Sequence, residues 1–280
     1  MGVFGIFGLH RASTLGLLPS DMPSPGTAAA LSLRGLSKTF GSTVAVDHLD
    51  LEVPRGSFFG FVGPNGAGKT TTLSMATGLL RPDAGTAHVM GHDVWSDTVH
   101  AKQLVGILPD GLRLFDRLTG LQLISYAGLL RGMDRALVTE RAHELLFALG
   151  LEGEGGTLVV DYSAGMTKKV SLACALVHAP RLLVLDEPFE SVDPISTSTI
   201  RQILEGYASS GGTVILSSHV MDLVQRLCDR VAIVAAGQIR AVGTLDEVRA
   251  GMTLEERFVH LVGGATDVGE GLAWLRSSSD

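Results

Sequence analysis

Gly63-Pro64-Asn65-Gly66-Ala67-Gly68-Lys69-Thr70 follows the pattern G-x-x-x-x-G-K-T, a phosphate-binding loop. Before it, Phe58-Phe59-Gly60-Phe61-Val62 is a short apolar run of the kind that forms a buried strand. After it, Thr71 to Leu80 lacks proline and places apolar residues at helical spacing. Strand, loop and helix in that order are the context the motif requires. Glycines let main-chain N–H groups turn inward on phosphate oxygens, at a helix N-terminus whose partial positive charge favours anions. On this reading Gly63 to Thr71 cradles a nucleoside triphosphate. Lys69 reaches its β- and γ-phosphates, and the Thr70 hydroxyl ligates Mg²⁺.

A second stretch, Leu182-Leu183-Val184-Leu185-Asp186-Glu187-Pro188, reads as a strand buried on both faces, as in a parallel sheet. It delivers two carboxylates at its C-terminal end, where open α/β sheets bind ligands. Asp186 fits the role of holding the Mg²⁺ shell, and Glu187 is placed to polarise water towards the γ-phosphate. The structural alternative is that both cap the following loop. Thr213 to Ser217 is another apolar strand, bringing Ser218 and His219 to the same sheet edge. From position alone His219 is open between a structural and a catalytic role.

Composition narrows the class. Of 280 residues, 45% are hydrophobic and 18% charged, enough for a sizeable core. The mean hydropathy of +0.31 is high, yet no window offers about 18 uninterrupted apolar residues for a membrane span. A net charge of −7 and a pI near 5.7 argue against a nucleic-acid binder, which carries a basic patch. Cys174 and Cys228 sit in apolar patterns with no C-x-x-C, and read as reduced core thiols.

Residues 1–30 read as a flexible lead-in with prolines and small residues near its end. Leu31 to Leu36 and Leu49 to Val53 alternate like half-buried strands, and between them Phe40 precedes a glycine turn. Phe40 is open between a core anchor and a platform for a base. Thr86 to Met90 and Gly106 to Asp110 read as strands, Leu121 to Leu130 and Arg135 to Leu149 as helices. These helices point to a helical insertion at about 107–178. Ser163 N-caps a helix ending at Pro180, another runs from Pro194 to about Tyr207, and Val231 to Ala235 with Gln238 to Val242 reads as a hairpin. A small helical tail occupies 246–280.

In this order the motifs resemble one family, the ATP-binding cassette ATPases, above all the nucleotide-binding subunits of export-type transporters. The resemblance covers about Leu31 to Gly263. It implies an α/β phosphate-loop core with a mainly parallel sheet, an N-terminal antiparallel β subdomain and a helical insertion, the ATP-binding domain spanning 31–245. It also implies MgATP hydrolysis, a second nucleotide-binding subunit, a separate transmembrane permease and a place at the cytoplasmic face of the membrane. By the same resemblance Phe40 stacks on adenine. Tyr162-Ser163-Ala164-Gly165-Met166 is similar to the family's Leu-Ser-Gly-Gly-Gln signature at Ser163 and Gly165, which would face ATP held by the second copy. Ser191 to Asp193 then matches the following loop, and His219 the switch histidine. Asp110 stands where family members often carry a metal-contacting glutamine. Two rival readings are a non-transport cassette protein acting on ribosomes or DNA, and a weakly active regulatory cassette. The single phosphate loop and the absence of heptads or C-x-x-C weigh against the first; Lys69, Asp186, Glu187 and His219 weigh against the second.

Overall fold

The structure, a computed structural model, describes residues 29–111 and 114–263. Most of the expected lead-in and the end of the chain after Gly263 lie outside the described residues. In chain order the first elements are β1 (Ala29–Phe40), β2 (Thr43–Pro54), β3 (Phe58–Val62), α1 (Lys69–Ala76), β4 (Ala84–Val89), β5 (His92–Asp93), α2 (Thr98–Leu104) and β6 (Val105–Leu108). Three helices follow, α3 (Gly120–Leu130), α4 (Arg135–Ala148) and α5 (Ala164–Leu176). The chain then runs through β7 (Leu182–Asp186), α6 (Pro194–Ser209), β8 (Thr213–Ser218), α7 (Met221–Leu227), β9 (Arg230–Ala235), β10 (Gln238–Thr244), α8 (Leu245–Arg249) and α9 (Leu254–Val262).

Two sheets divide the strands. One is antiparallel, in the order β2-β1-β4-β5, with Leu31 opposite Val89 and Leu33 opposite Ala87. The other runs β10-β9-β3-β8-β7-β6 and is parallel except for the β9-β10 hairpin. Every residue of β3, β7 and β8 is buried, which is why these strands read as continuous apolar runs. Their side chains alternate between two cores. Phe59, Phe61, Leu182 and Val184 face a core shared with the antiparallel sheet and α1. Phe58, Val62, Leu183 and Leu185 face a core shared with α3, α4 and α5. The six-stranded sheet is thus the middle layer. Helices α3 to α5 lie in sequence between its neighbouring strands β6 and β7.

Some boundaries differ from expectation for local reasons. Helix α1 ends at Ala76 rather than Leu80. Thr77 Oγ1 donates to Leu73 O at 2.8 Å, Gly78 takes φ +75°, and the N–H groups of Leu79 and Leu80 turn back to Ser74 O. That is a left-handed helix stop. Helices α2 and α7, seven residues each, were not legible as elements, since two turns give too little periodicity to read. Cys174 and Cys228 are free thiols; burial pushes Cys174 up to about 12, and Cys228 is also raised. Among the described residues no helix is long and apolar enough to cross a membrane.

Where α5 turns towards β7, His178 donates from Nε2 to Val105 O at 3.1 Å, while its buried Nδ1 has no protein partner. Burial, reinforced by the Arg131 guanidinium, holds this imidazole neutral and lowers it from an ordinary 6.5 to about 3. In the unfolded chain His178 takes up a proton near its ordinary value, and in the folded chain it does not. Stability is therefore lost progressively as pH falls from about 6.5 to about 3. Denaturant unfolding measured across that window should show a shallower loss for His178→Gln than for the parent. Parallel pH profiles would show that His178 is protonated in the fold.

Candidate functional site

The C-terminal ends of β3, β8 and β7 lie side by side because their parallel register pairs Val62 with Ser218, and Ser217 with Asp186. Each strand then hands over a different group: β3 the loop from Gly63 to Gly68, β7 Asp186 and Glu187, and β8 Ser217, Ser218 and His219.

The phosphate loop is held from outside as well as by its own turns. Ala67 N donates to Pro64 O at 3.1 Å, and Gly237, in the β9-β10 turn, donates to Ala67 O at 3.0 Å. The same glycine's carbonyl accepts from Asp47 N at 3.0 Å, which ties β2 to the loop. Gly68 sits at φ +97°, and a Cβ there would lie 2.4 Å from Ala45 O. Glycine is thus required at this position by both backbone conformation and space. Around Gly66 the space is open within 4 Å, leaving the loop's outer side accessible.

Lys69 opens α1 and is buried. Its Nζ donates to Gly63 O at 2.7 Å and to Pro64 O at 3.3 Å, and lies 3.7 Å from Glu187 Oε1. The same carboxylate oxygen is 3.1 Å from His219 Nδ1. Glu187 therefore stands between a buried ammonium and a half-exposed imidazole. Its backbone is in the left-handed region, φ +46°, a conformation that costs a non-glycine residue roughly 1–3 kcal/mol when the surroundings impose it. The restraint is visible on both sides. Glu187 N–H donates to Ser217 Oγ at 2.9 Å, and Glu187 O accepts from Lys168 Nζ at 2.9 Å. Ser217 Oγ in turn donates to Asp186 Oδ1, so a single hydroxyl orients both acidic residues.

Lys69, Asp186, Glu187 and His219 thus come together. Asp110 lies beside them: its Oδ1 is 4.0 Å from Lys168 Nζ, the amine that holds Glu187. Phe40 is at the tip of the β1-β2 hairpin opposite Thr43 and is half exposed, so it is not a core anchor. Lys38 Nζ sits 5.6 Å from its ring centroid. Ser163 and Gly165 form another group. Ser163 Oγ accepts from Met166 N at 3.2 Å as the cap of α5, and a Cβ on Gly165 would meet Asp193 Oδ2 at 2.6 Å and Ser196 Oγ at 2.7 Å. Ser217 and Lys168 were missed in the sequence. Ser217 read as the last residue of a buried strand, and nothing in the sequence singled out Lys168. Their partners lie 30 and 19 residues away.

Magnesium and a triphosphate fit these residues. Lys69 gives its protons to main-chain carbonyls, a weak arrangement for a buried ammonium that phosphate oxygens would improve. Asp186 is buried with one oxygen on Ser217, and the Thr70 hydroxyl begins α1 beside Lys69. Hard oxygen donors of this kind suit Mg²⁺.

Comparison with known proteins follows the same lines. A family model described as ABC transporter matches residues 46–190. The daunorubicin/doxorubicin resistance ATP-binding protein DrrA of Streptomyces peucetius is 38% identical over 223 residues, covering 80% of this chain and 68% of that protein. The Nod factor export ATP-binding protein I of Cupriavidus pinatubonensis is 35% identical over 225 residues, covering 80% and 69%. A solved ATP-binding subunit of an ABC transporter superposes with a TM-score of 0.77 at 28% identity, covering 83% of this chain and 99% of that one. A cassette dimer, MJ0796 with ADP and Pi, shares the fold at a TM-score of 0.70 and 23% identity, covering 77% and 98%.

Removing the shared hydroxyl tests this arrangement. Ser217→Ala leaves the Glu187 N–H and a buried Asp186 oxygen without their partner, a loss of about 1–3 kcal/mol in unfolding free energy. Nucleotide turnover should fall further than nucleotide affinity, because Glu187 loses its backbone restraint. Equal stability and equal turnover would mean that Ser217 restrains neither acid.

Proposed function

The chain belongs to the ABC transporter family as an ATP-binding subunit that hydrolyses MgATP, and we propose that it powers export through a separately encoded transmembrane permease. The observation that carries the site assignment is the meeting of Lys69, Asp186, Glu187 and His219 at the ends of three adjacent parallel strands. Export is supported by relatives named for drug resistance and Nod factor export. A place at the cytoplasmic face of the membrane belongs to the same proposal, as does the division into a lead-in (1–30), an ATP-binding domain (31–245) with a helical insertion, and a tail (246–280).

Each residue has a defined task on this reading. The loop Gly63 to Thr71 binds the phosphates through main-chain N–H groups, with Gly66, Ala67 and Gly68 closest to the helix N-terminus. Lys69 exchanges its carbonyl partners for phosphate oxygens. Thr70 and Asp186 hold Mg²⁺, which when bound neutralises charge on the phosphates. Glu187 orients the attacking water, and His219, beside the same carboxylate, fixes its direction. Phe40 offers a flat apolar face to adenine. Asp110, two residues beyond the end of β6, would couple the metal shell to the permease. Ser163 and Gly165 complete the site of a second copy. The phosphoryl group passes to water by positioning and charge stabilisation.

A nucleotide titration paired with turnover separates these roles. Glu187→Gln should keep MgATP affinity while turnover falls about 10²–10⁴-fold. Phe40→Ala should weaken affinity by about 1–3 kcal/mol, with Phe40→Tyr close to the parent. Asp110→Gln should tighten affinity by removing a negative charge from beside the phosphates. If Glu187→Gln loses binding in step with turnover, the carboxylate is a binding group and its assignment is wrong.

The permease is tested by cell fractionation. The native chain should sediment with membranes when its permease is present, leave them on an alkaline wash, and stay in the supernatant of a strain lacking the permease. Co-sedimentation with ribosomes instead would favour the non-transport reading.

A further inference from the structure

Away from the nucleotide site, three side chains converge on the surface where the antiparallel sheet gives way to α2. His92 Nδ1 lies 2.6 Å from Asp97 Oδ2, and His100 Nδ1 lies 2.6 Å from Asp97 Oδ1. Ligand-type atoms from all three fall within 4.8 Å of one another. We propose that His92, Asp97 and His100 form a binding site for one divalent transition-metal ion of the zinc class.

The ligands are carried by two regular elements and the turn between them. His92 is fixed in β5 by its pairing with Val89, and Asp97 and His100 stand three residues apart on one face at the start of α2. The turn joining them is locked by Asp93, whose Oδ1 accepts from Trp95 N at 2.9 Å, Ser96 N at 2.7 Å and Ser96 Oγ at 2.9 Å. Asp93 O also accepts from Asp97 N. Spacing between strand and helix is thereby set before any ion arrives, which lowers the cost of binding.

Asp97 also departs from the usual behaviour of its position. It is the N-cap of α2, yet its carboxylate makes no cap hydrogen bond to the helix N–H groups. A capping aspartate usually contributes about 1 kcal/mol to its helix. Here both oxygens face imidazoles instead, and those contacts hold the Asp97 carboxyl below its ordinary range. The rings of His92 and His100 lie 5.4 Å apart between centroids, and the Nδ1 atom of each is turned to the one carboxylate between them. Two imidazoles and one carboxylate match the donor preferences of Zn²⁺, Co²⁺ or Ni²⁺ rather than Mg²⁺. Zinc bonds of about 2.0–2.2 Å to nitrogen and oxygen are reached by small rotations of these partly exposed side chains, with water completing the shell. A neutral imidazole can carry its proton on Nε2, which frees the Nδ1 lone pair for the ion, so no further reagent is required. An ion here would clamp β5 to α2, which continues directly into β6 and the Asp110 loop.

The test is calorimetric titration of Zn²⁺ alone into the full chain, made without a histidine tag, free of nucleotide and in excess Mg²⁺. One equivalent should bind. Loss of an outer-shell partner alone costs about 10–100-fold in metal affinity, so Asp97→Asn, His92→Gln and His100→Gln should each weaken it by at least tenfold. Zn²⁺ should raise the melting temperature of the parent and not of the variants. The variants' own melting temperatures without metal, compared with the parent's, establish that they fold. Failure of the parent to bind Zn²⁺ in excess Mg²⁺, or equal binding by parent and variants, would overturn the proposal and leave a hydrogen-bonded surface cluster.

Discussion

Lys69 brings a positive charge into a region nearly closed to water, and its surroundings are arranged around that charge. A buried ion without compensation costs several kcal/mol. The Lys69 ammonium is compensated by two carbonyls of its own loop and by Glu187 at 3.7 Å, with His219 on the far side of that carboxylate. This arrangement requires β3, β7 and β8 to end at the same level, which their parallel register achieves. It also requires Glu187 to hold a left-handed backbone, which Ser217 and Lys168 enforce from opposite sides. Low dielectric strengthens each of these contacts, and it would equally strengthen contacts to an arriving phosphate.

The two cores explain how such a site stays assembled. Alternate residues of β3 and β7 serve different layers, so neither layer can shift without disturbing the strands that carry the site. On one side the antiparallel sheet reaches the phosphate loop through Asp47 and Gly237. On the other, α5 reaches Glu187 through Lys168, and the same amine faces Asp110. A displacement of the Asp110 loop would therefore be felt at the carbonyl of Glu187 through one side chain. That is a physical route for coupling between the Asp110 loop and the chemistry.

What the sequence made legible was whatever lies close together along it. The phosphate loop, the Asp186-Glu187 pair and the apolar strands each announce themselves within a few residues, and with them the α/β architecture. Phe40 could not be placed that way, because exposure depends on how a hairpin tip sits relative to the rest of the fold. Ser217, Lys168 and His178 escaped for a related reason. Their meaning lies in contacts to Asp186, Glu187 and Val105, set by sheet order and helix packing rather than by spacing. The His92, Asp97 and His100 cluster was hidden by α2 itself, too short to register as a helix, so its three-residue spacing had no face to lie on.

A Cβ on Gly165 would meet Asp193 and Ser196, and Ser163 caps the same end of α5. On the proposed reading the phosphate loop and the N-terminal end of α5 are two half-sites, and hydrolysis would require the loop of one copy to meet the α5 end of another. Specific ATPase activity across a dilution series tests that directly. Activity per molecule should rise with protein concentration and level off once light scattering reports a dimer with ATP bound. Constant activity per molecule, down to concentrations at which only monomers scatter, would contradict it.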